Sequence, residues 1–270
     1  MDPYNHKRPS TPRAPILISV PHCGTDFPDG IRDQYDPELI KVPDDTDWFV
    51  DRLYSFAPSL GITMITAVFS RWVIDLNRNP DSKPLYTDGR IITGLCPATT
   101  FLGQPLYKDG RREVDPAEVK RRTELYFHPY HEKIKQILAE LKSEFGTVLL
   151  WDCHSVRQLV PTIQREKFPD LILGSADGQS ASQDLIKAAL KSLGSAKYSL
   201  QHNHPFKGGY ITRQYGLPSG NQHALQLEMS KVNYMDDSEM QYHHGRADKM
   251  GELLYKTLND LTSALILPKD

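Results

Sequence analysis

The sequence predicts an α/β protein with one central sheet covered by helices on both faces, a three-layer α/β/α sandwich. Three observations carry this expectation. Short apolar runs such as Ile16-Leu17-Ile18-Ser19-Val20 and Val148-Leu149-Leu150-Trp151 alternate along the chain with stretches of helical periodicity, and strands buried on both faces read as near-continuous apolar runs. Interleaving of the two element types places helices over both faces of a sheet. Two histidines, His22 and His154, each fall at the end of such a run, where open α/β sheets bind ligands.

The chain has 270 residues at 39% hydrophobic content, enough to bury one large core. No repeat of 20–50 residues and no low-complexity tract interrupts it. Residues 1–13, polar and proline-rich, read as a flexible tail, and 14–270 as a single domain. A strand is expected at 16–20, followed by a polar loop. A helix is expected over 46–57, carrying Trp48, Val50, Leu53, Tyr54 and Ala57 on one stripe, with Asp45 as its cap and Pro58 to Gly61 as its stop. Strands follow around 63–69 and 72–76. Residues 77–113 show neither period, and a connection that long reads as a working loop. Asp115-Pro116 is a cap followed by proline at the first helical position. The stripe Val119, Tyr126, Tyr130, Ile134, Ile137, Leu138, Leu141 and Phe145 runs to Gly146, with Pro129 expected to kink or split the helix. Further strands are expected at 147–153, 170–173, 197–201, 209–213 and 224–229, and helices at 180–193 and 238–264.

Composition excludes several function classes. A net charge of −2 and a pI near 6.6 supply no electrostatic reason to bind nucleic acid or a membrane surface. No apolar run approaches the ~20 residues of a membrane span, and the polar N-terminus is not a secretory signal. Three cysteines argue against a disulfide framework and fit a reducing cytoplasm.

Four separated motifs carry the chemistry: Pro21-His22-Cys23-Gly24, Asp45-Thr46-Asp47-Trp48, Asp152-Cys153-His154-Ser155 and Leu227-Glu228-Met229. A lone histidine after a strand is usually a hydrogen-bonded structural residue. Two in equivalent positions, together with an acidic residue, match the three-ligand set of a catalytic zinc that keeps a fourth position for water. In Ala224 to Met229 polar and apolar residues alternate, so Gln226 and Glu228 share a face. Cys23 and Cys153 adjoin the histidines, which raises a Cys–His nucleophile pair. Neighbours on a strand point to opposite faces, however, so each cysteine is expected beneath the site. His128 and His131 stand three apart on the kinked helix with no third partner, and the structural reading prevails there.

The chain resembles the N-formylglutamate amidohydrolases from about residue 15 to residue 235. The likeness runs through Ile18 to Gly24, Asp45-Thr46-Asp47-Trp48, Asp51-Arg52-Leu53-Tyr54, Ser70-Arg71, Ile74-Asp75-Leu76-Asn77-Arg78 and Thr93 to Pro97. It continues through Pro105-Leu106-Tyr107, Pro129-Tyr130-His131, His154-Ser155, Phe206 to Arg213, Gln226-Leu227-Glu228 and Tyr234-Met235. The same residues are distantly similar to the zinc carboxypeptidase site, which implies a mixed central sheet of that fold. The resemblance implies one zinc ion per chain on His22, Asp47 and His154, with Asp45 and Asp26 as alternatives to Asp47. It implies Glu228 as general base, Asn77 and Arg78 on the substrate α-carboxylate, and Arg213 with Lys207 on the side-chain carboxylate or the oxyanion. The implied activity is hydrolysis of the formyl amide of N-formyl-L-glutamate in cytoplasmic histidine degradation, by a monomer or small homo-oligomer whose partner is a small molecule.

Two segments depart from the family pattern. Val160-Pro161-Thr162-Ile163-Gln164 stands where a Pro-Arg-Leu-Phe-type segment is usual, and Asn203-His204-Pro205-Phe206 replaces Asn-Gly-Arg-Phe. Two arginines are thereby absent, which keeps open another N-acyl amino acid or a short peptide as substrate. A non-catalytic metal-binding protein is the reading of a different class. Glu228 beside three ligands argues against it, since structural zinc is usually closed by four side chains.

Overall fold

Strands β1 (Tyr4–Lys7), β2 (Ile16–Val20), β3 (Thr63–Ala67), β4 (Val148–Val156), β5 (Leu171–Gly174), β6 (Leu200–His202) and β7 (Gln222–Ser230) form one sheet in the order β1-β3-β2-β4-β7-β5-β6. The computed structural model describes residues 2–9, 11, 13–81 and 94–266. Strands β3, β2, β4 and β7 run parallel to one another, and β1 and β5 are antiparallel to their neighbours β3 and β7. The sheet is therefore mixed. No described helix is long and apolar enough to cross a membrane.

Helices α1 (Val50–Leu53), α2 (Pro116–Arg122), α3 (His128–Phe145), α4 (Gln183–Leu193), α5 (Tyr210–Tyr215) and α6 (His244–Ile266) complete the three layers. One face of the sheet presents Ile16, Ile18, Val20, Leu149, Trp151, Cys153, Leu225, Leu227 and Met229 to α1, α4 and α6. The other presents Leu17, Ile65, Val148, Leu150 and Ala224 to α3 and α5. Along β2, β4 and β7 this second face changes character toward the carboxyl ends. Leu17 gives way to Ser19, Leu150 to Asp152 and His154, and Ala224 to Gln226 and Glu228. Every one of those polar residues is buried.

Several elements differ from the sequence expectation, each for a local reason. The expected tail contributes β1, because the otherwise open edge of β3 pairs with Tyr4 to Lys7 and Tyr4 packs against Tyr130. The helix expected over 46–57 shrinks to α1 and a 3-10 turn at Ala57–Leu60. Phe49 has a left-handed φ of 62°, which no helix accommodates. The intended cap, Asp45, uses its carboxylate on Trp72 Nε1 and Phe101 N instead. No strand forms over 72–76, where turns carry Ser70 to Val73 and Asp75 to Arg78. The expected strand at 209–213 is helix α5. Pro129 does split its helix: a π turn at Thr123–Phe127 separates α2 from α3, and the proline sits in the first turn of α3. Part of the expected loop at 77–113 lies outside the described residues.

Candidate active site

Three parallel strand ends build the site. His22 follows β2 by two residues, and the backbone N–H of Asp47 donates to His22 O at 2.9 Å, which brings the 45–48 segment over the end of the sheet. His154 and Glu228 stand opposite each other in the β4–β7 register, as do Asp152 and Gln226. Register partners in a parallel pair share a face, so all four side chains project to the same side.

The two imidazoles meet around Asp47. His154 Nδ1 lies 3.2 Å from Asp47 Oδ2 and His22 Nδ1 lies 3.6 Å from the same oxygen. One donor atom from each of His22, Asp47 and His154 falls within 4.8 Å of the others. The Nε2 atoms face away: His22 Nε2 donates to Asp75 Oδ1 at 2.8 Å, and His154 Nε2 lies 3.0 Å from Asp152 Oδ2. A carboxylate only accepts, so the Asp75 pairing puts the His22 ring hydrogen on Nε2 and turns its Nδ1 lone pair toward Asp47, while His154 stands between two carboxylates and would keep its hydrogen on Nε2, toward Asp152, once a cation took Nδ1. This is the carboxylate–histidine–metal pattern. His22 Nδ1 is buried and makes no hydrogen bond, a costly state for a polar atom that a coordinated cation would relieve. The donor set therefore fits a divalent metal. Asp45, spent on Trp72 and Phe101, and Asp26, exposed to solvent, do not join it.

The electrostatics are tightly coupled. Burial alone would raise the Asp47 carboxyl, but the two imidazoles beside it, His154 first and then His22, outweigh it and hold the group well below the usual carboxylate range. Burial would lower the His154 imidazolium, and the charges of Asp152 and Asp47 reverse this and raise it well above the ordinary value. Burial pushes the Glu228 carboxyl up to about 8, against the opposing pull of His154. Gln226 Nε2 donates to Glu228 Oε2 at 3.3 Å and orients it.

The residues expected to hold substrate are placed differently from one another. Asn77 is bound into the protein: Nδ2 donates to Asp152 Oδ2 at 3.2 Å and lies 2.9 Å from His154 Nε2, while Oδ1 accepts from Ile211 N at 2.7 Å. It braces a histidine and the start of α5. Arg78 lies 3.6 Å from Asp75 Oδ2 and is mostly buried. Arg213 is exposed on α5, its Nε donating to Gly208 O at 3.1 Å. Lys207 pairs with Asp177 at 2.9 Å, also exposed. Cys153 packs beneath the site beside Trp151 and Tyr54, and Cys23 Sγ turns to Val20 O and Ala67 O. Burial raises both thiols well above their ordinary value, which disfavours the thiolate a nucleophile needs. His131 is held between Tyr215 and Leu76 O, a structural role.

The family model for N-formylglutamate amidohydrolase matches residues 14–235. The chain belongs to the N-formylglutamate amidohydrolase family. It is 43% identical to the N-formylglutamate deformylase of Pseudomonas putida over 228 residues, 84% of each chain. The same identity holds to that of Pseudomonas aeruginosa over 227 residues, 83% of this chain and 84% of the other. The crystal structure of N-formylglutamate amidohydrolase from Ralstonia eutropha JMP134 superposes with a TM-score of 0.79 at 28% identity, covering 97% of this chain and 96% of that one.

In this member of the family, sequence reasoning missed the groups behind the two histidines. Asp75 accepts from His22 and from buried Arg71, whose Nη2 donates to Asp75 Oδ2 at 2.7 Å. Arg71 lies close enough for its charge to act on Glu228. Asp75 and Ser70-Arg71 were within the matching motifs, but their roles depend on packing that no spacing along the chain reveals. Asp152 carried a readable signal: it stands two residues before His154, hence on the same face.

Proposed function

We propose that this chain hydrolyses the formyl amide of N-formyl-L-glutamate to formate and L-glutamate, a reaction of histidine degradation, using one divalent cation, zinc, held by His22, Asp47 and His154. The observation that carries the reading is the convergence of His22 Nδ1, His154 Nδ1 and Asp47 Oδ2 beside Glu228, in a chain of this family. A cation held there supplies Lewis acidity to the formyl carbonyl and lowers the pKa of a water toward ~7. A cation beside Glu228 would favour its ionised form, and the carboxylate then accepts the proton of the attacking water, whose oxygen bonds to the formyl carbon. As the C–N bond breaks, Glu228 returns that proton to the leaving nitrogen. Gln226 holds one Glu228 oxygen, which leaves the other for proton transfer. Arg78 grips the substrate α-carboxylate as a planar fork, and exposed Lys207 and Arg213 steer the anionic substrate toward the site.

The absent arginines around 160–164 and 203–206 favour a second reading, the same chemistry on another N-acyl amino acid. Formate and amine release from a panel of N-formyl and N-acetyl amino acids, with and without a chelator, tests both. Turnover restored by zinc and fastest on N-formyl-L-glutamate is expected. Full turnover by protein shown by elemental analysis to be metal-free would overturn the metal assignment. Protein that holds zinc yet turns over nothing in the panel would favour a binding role.

A further inference from the structure

Loops at the carboxyl end of the sheet enclose a cavity of about 240 Å³ beside the cluster of ligating residues. Phe101, Leu102, Val156, Val160 and Pro161 give it apolar walls, and Lys231 lines it as well. Two contacts join it to the site. Ser155, another wall residue, donates from Oγ to Asp47 Oδ1 at 3.4 Å. Arg71, paired with Asp75, lies over the Phe101 ring at 4.7 Å.

Lys231 follows Glu228 by three residues, in the turn that closes β7, and is 3% exposed. Its ammonium offers three donors. Among the described residues one hydrogen bond uses them, to Asp44 O at 3.2 Å, and no carboxylate pairs with Lys231 among the same residues. Two acids, Asp44 and Asp45, also line the cavity, and both are engaged elsewhere: Asp44, with Glu239, binds Arg157, itself a wall residue, and the Asp45 carboxylate accepts from Trp72 and Phe101. Burial pulls the Lys231 ammonium below its ordinary value, with Asp47 and Asp44 opposing. A buried cation with no carboxylate in contact among the described residues is costly, and an anionic ligand in the cavity offsets that cost.

We infer that this cavity is the side-chain subsite: Lys231 pairs there with the distal carboxylate of an acidic N-acyl amino acid, and the apolar walls cover its methylenes. The inference rests on the reaction proposed above and adds what selects its substrate. Lys207 and Arg213 are exposed and unsuited to this selection, because ion pairs in water are weak.

The test compares kcat/KM on N-formyl-L-glutamate with that on N-formyl-L-norleucine, whose side chain is neutral and of similar length. Lys231→Met should lower this selectivity ratio by roughly ten- to a hundredfold, the worth of a hydrogen bond to a charged group, and Lys231→Arg should keep most of it. Leu102→Asp, at an exposed wall position, adds a negative charge without touching the core and should lower the ratio as well. An unchanged ratio in Lys231→Met overturns the inference, and if that variant does not fold, an unchanged ratio in Leu102→Asp does so. Should the wild type release formate from neither substrate, the proposed reaction fails on its own. The subsite is then judged by calorimetric titration of glutarate: weaker binding to either variant supports it, and equal binding overturns it.

Discussion

Asp152 bears on the proposed metal site through His154, its neighbour on the same face of β4. Its Oδ2 lies 3.0 Å from His154 Nε2 and accepts from Asn77 at 3.2 Å, a carboxylate placed to hold the ring hydrogen on Nε2 when Nδ1 takes the proposed cation. Asp152→Asn keeps the shape and removes the charge, so zinc affinity should fall about 10–100-fold. Competition against a chelator of known affinity measures this, and an unchanged constant would count against Nδ1 ligation. Glu228→Gln separates catalysis from assembly. The amide keeps the side chain's size but does not take a proton at neutral pH, so zinc and substrate should still bind while kcat falls roughly 10²–10⁴-fold. Loss of zinc from this variant would make Glu228 a ligand, and a kcat within a few-fold of wild type would remove it from the reaction. At this scale the proposed ligands His22 and His154 and the proposed base Glu228 were legible because each sits at or just past a strand end. Asp75 with Arg71 was not, because their contacts depend on turns that replaced the expected strand at 72–76.

Among the elements, α5 depends most on the rest of the molecule. Tyr210-Ile211-Thr212 favours a strand by its β-branched and aromatic content, yet it forms a helix. Gln226 Oε1 takes Gly209 N at 2.8 Å and Asn77 Oδ1 takes Ile211 N at 2.7 Å, so side chains from a strand and a loop hold its first turn. Gly209 is required by close approach. A Cβ there would meet the Asn77 side chain at 2.4–2.6 Å. Gly209→Ala should therefore cost about 1–3 kcal/mol by overpacking and also weaken zinc binding through displacement of Asn77 from His154. Gly251 within α6 has nothing within 4 Å of the same position, and Gly251→Ala should stabilise by up to ~1 kcal/mol. Thermal midpoints and a zinc titration on the two variants check the contrast, and equal effects would refute the packing argument.

For the molecule as a whole, the buried site ties stability to pH. Glu228 is raised from 4.5 to about 8 by burial, so the folded state holds its proton where the unfolded chain has released it. That contribution is present at low pH and is lost as pH rises across that interval. His154 is raised above 6.5 through Asp152 and Asp47 against burial, and its contribution is likewise full below 6.5 and lost above. Metal binding runs the other way, since ligands must shed protons to coordinate. The melting temperature of chelated protein should fall from about pH 5 to pH 8, while the increment on adding zinc should grow across the same window. Scanning fluorimetry at fixed ionic strength tests this, and a zinc increment that shrinks with rising pH would contradict the ligand set.

Legible along the chain alone were the α/β class, the central strands, the helix begun at Asp115-Pro116 and the histidines and glutamate at strand ends. Those features follow from local periodicity and from the rule that neighbours on a strand face opposite ways. Packing between distant segments settled that Asp47 rather than Asp45 faces the imidazoles, that Tyr4 to Lys7 caps an open sheet edge, and that α5 is a helix. In each case the deciding partner lies far along the chain: Trp72 and Phe101 for Asp45, β3 for β1, and Asn77 with Gln226 for α5. Such long-range hydrogen bonds outweigh the weak preferences of short segments, because a buried polar group left unpaired costs more than any local propensity supplies.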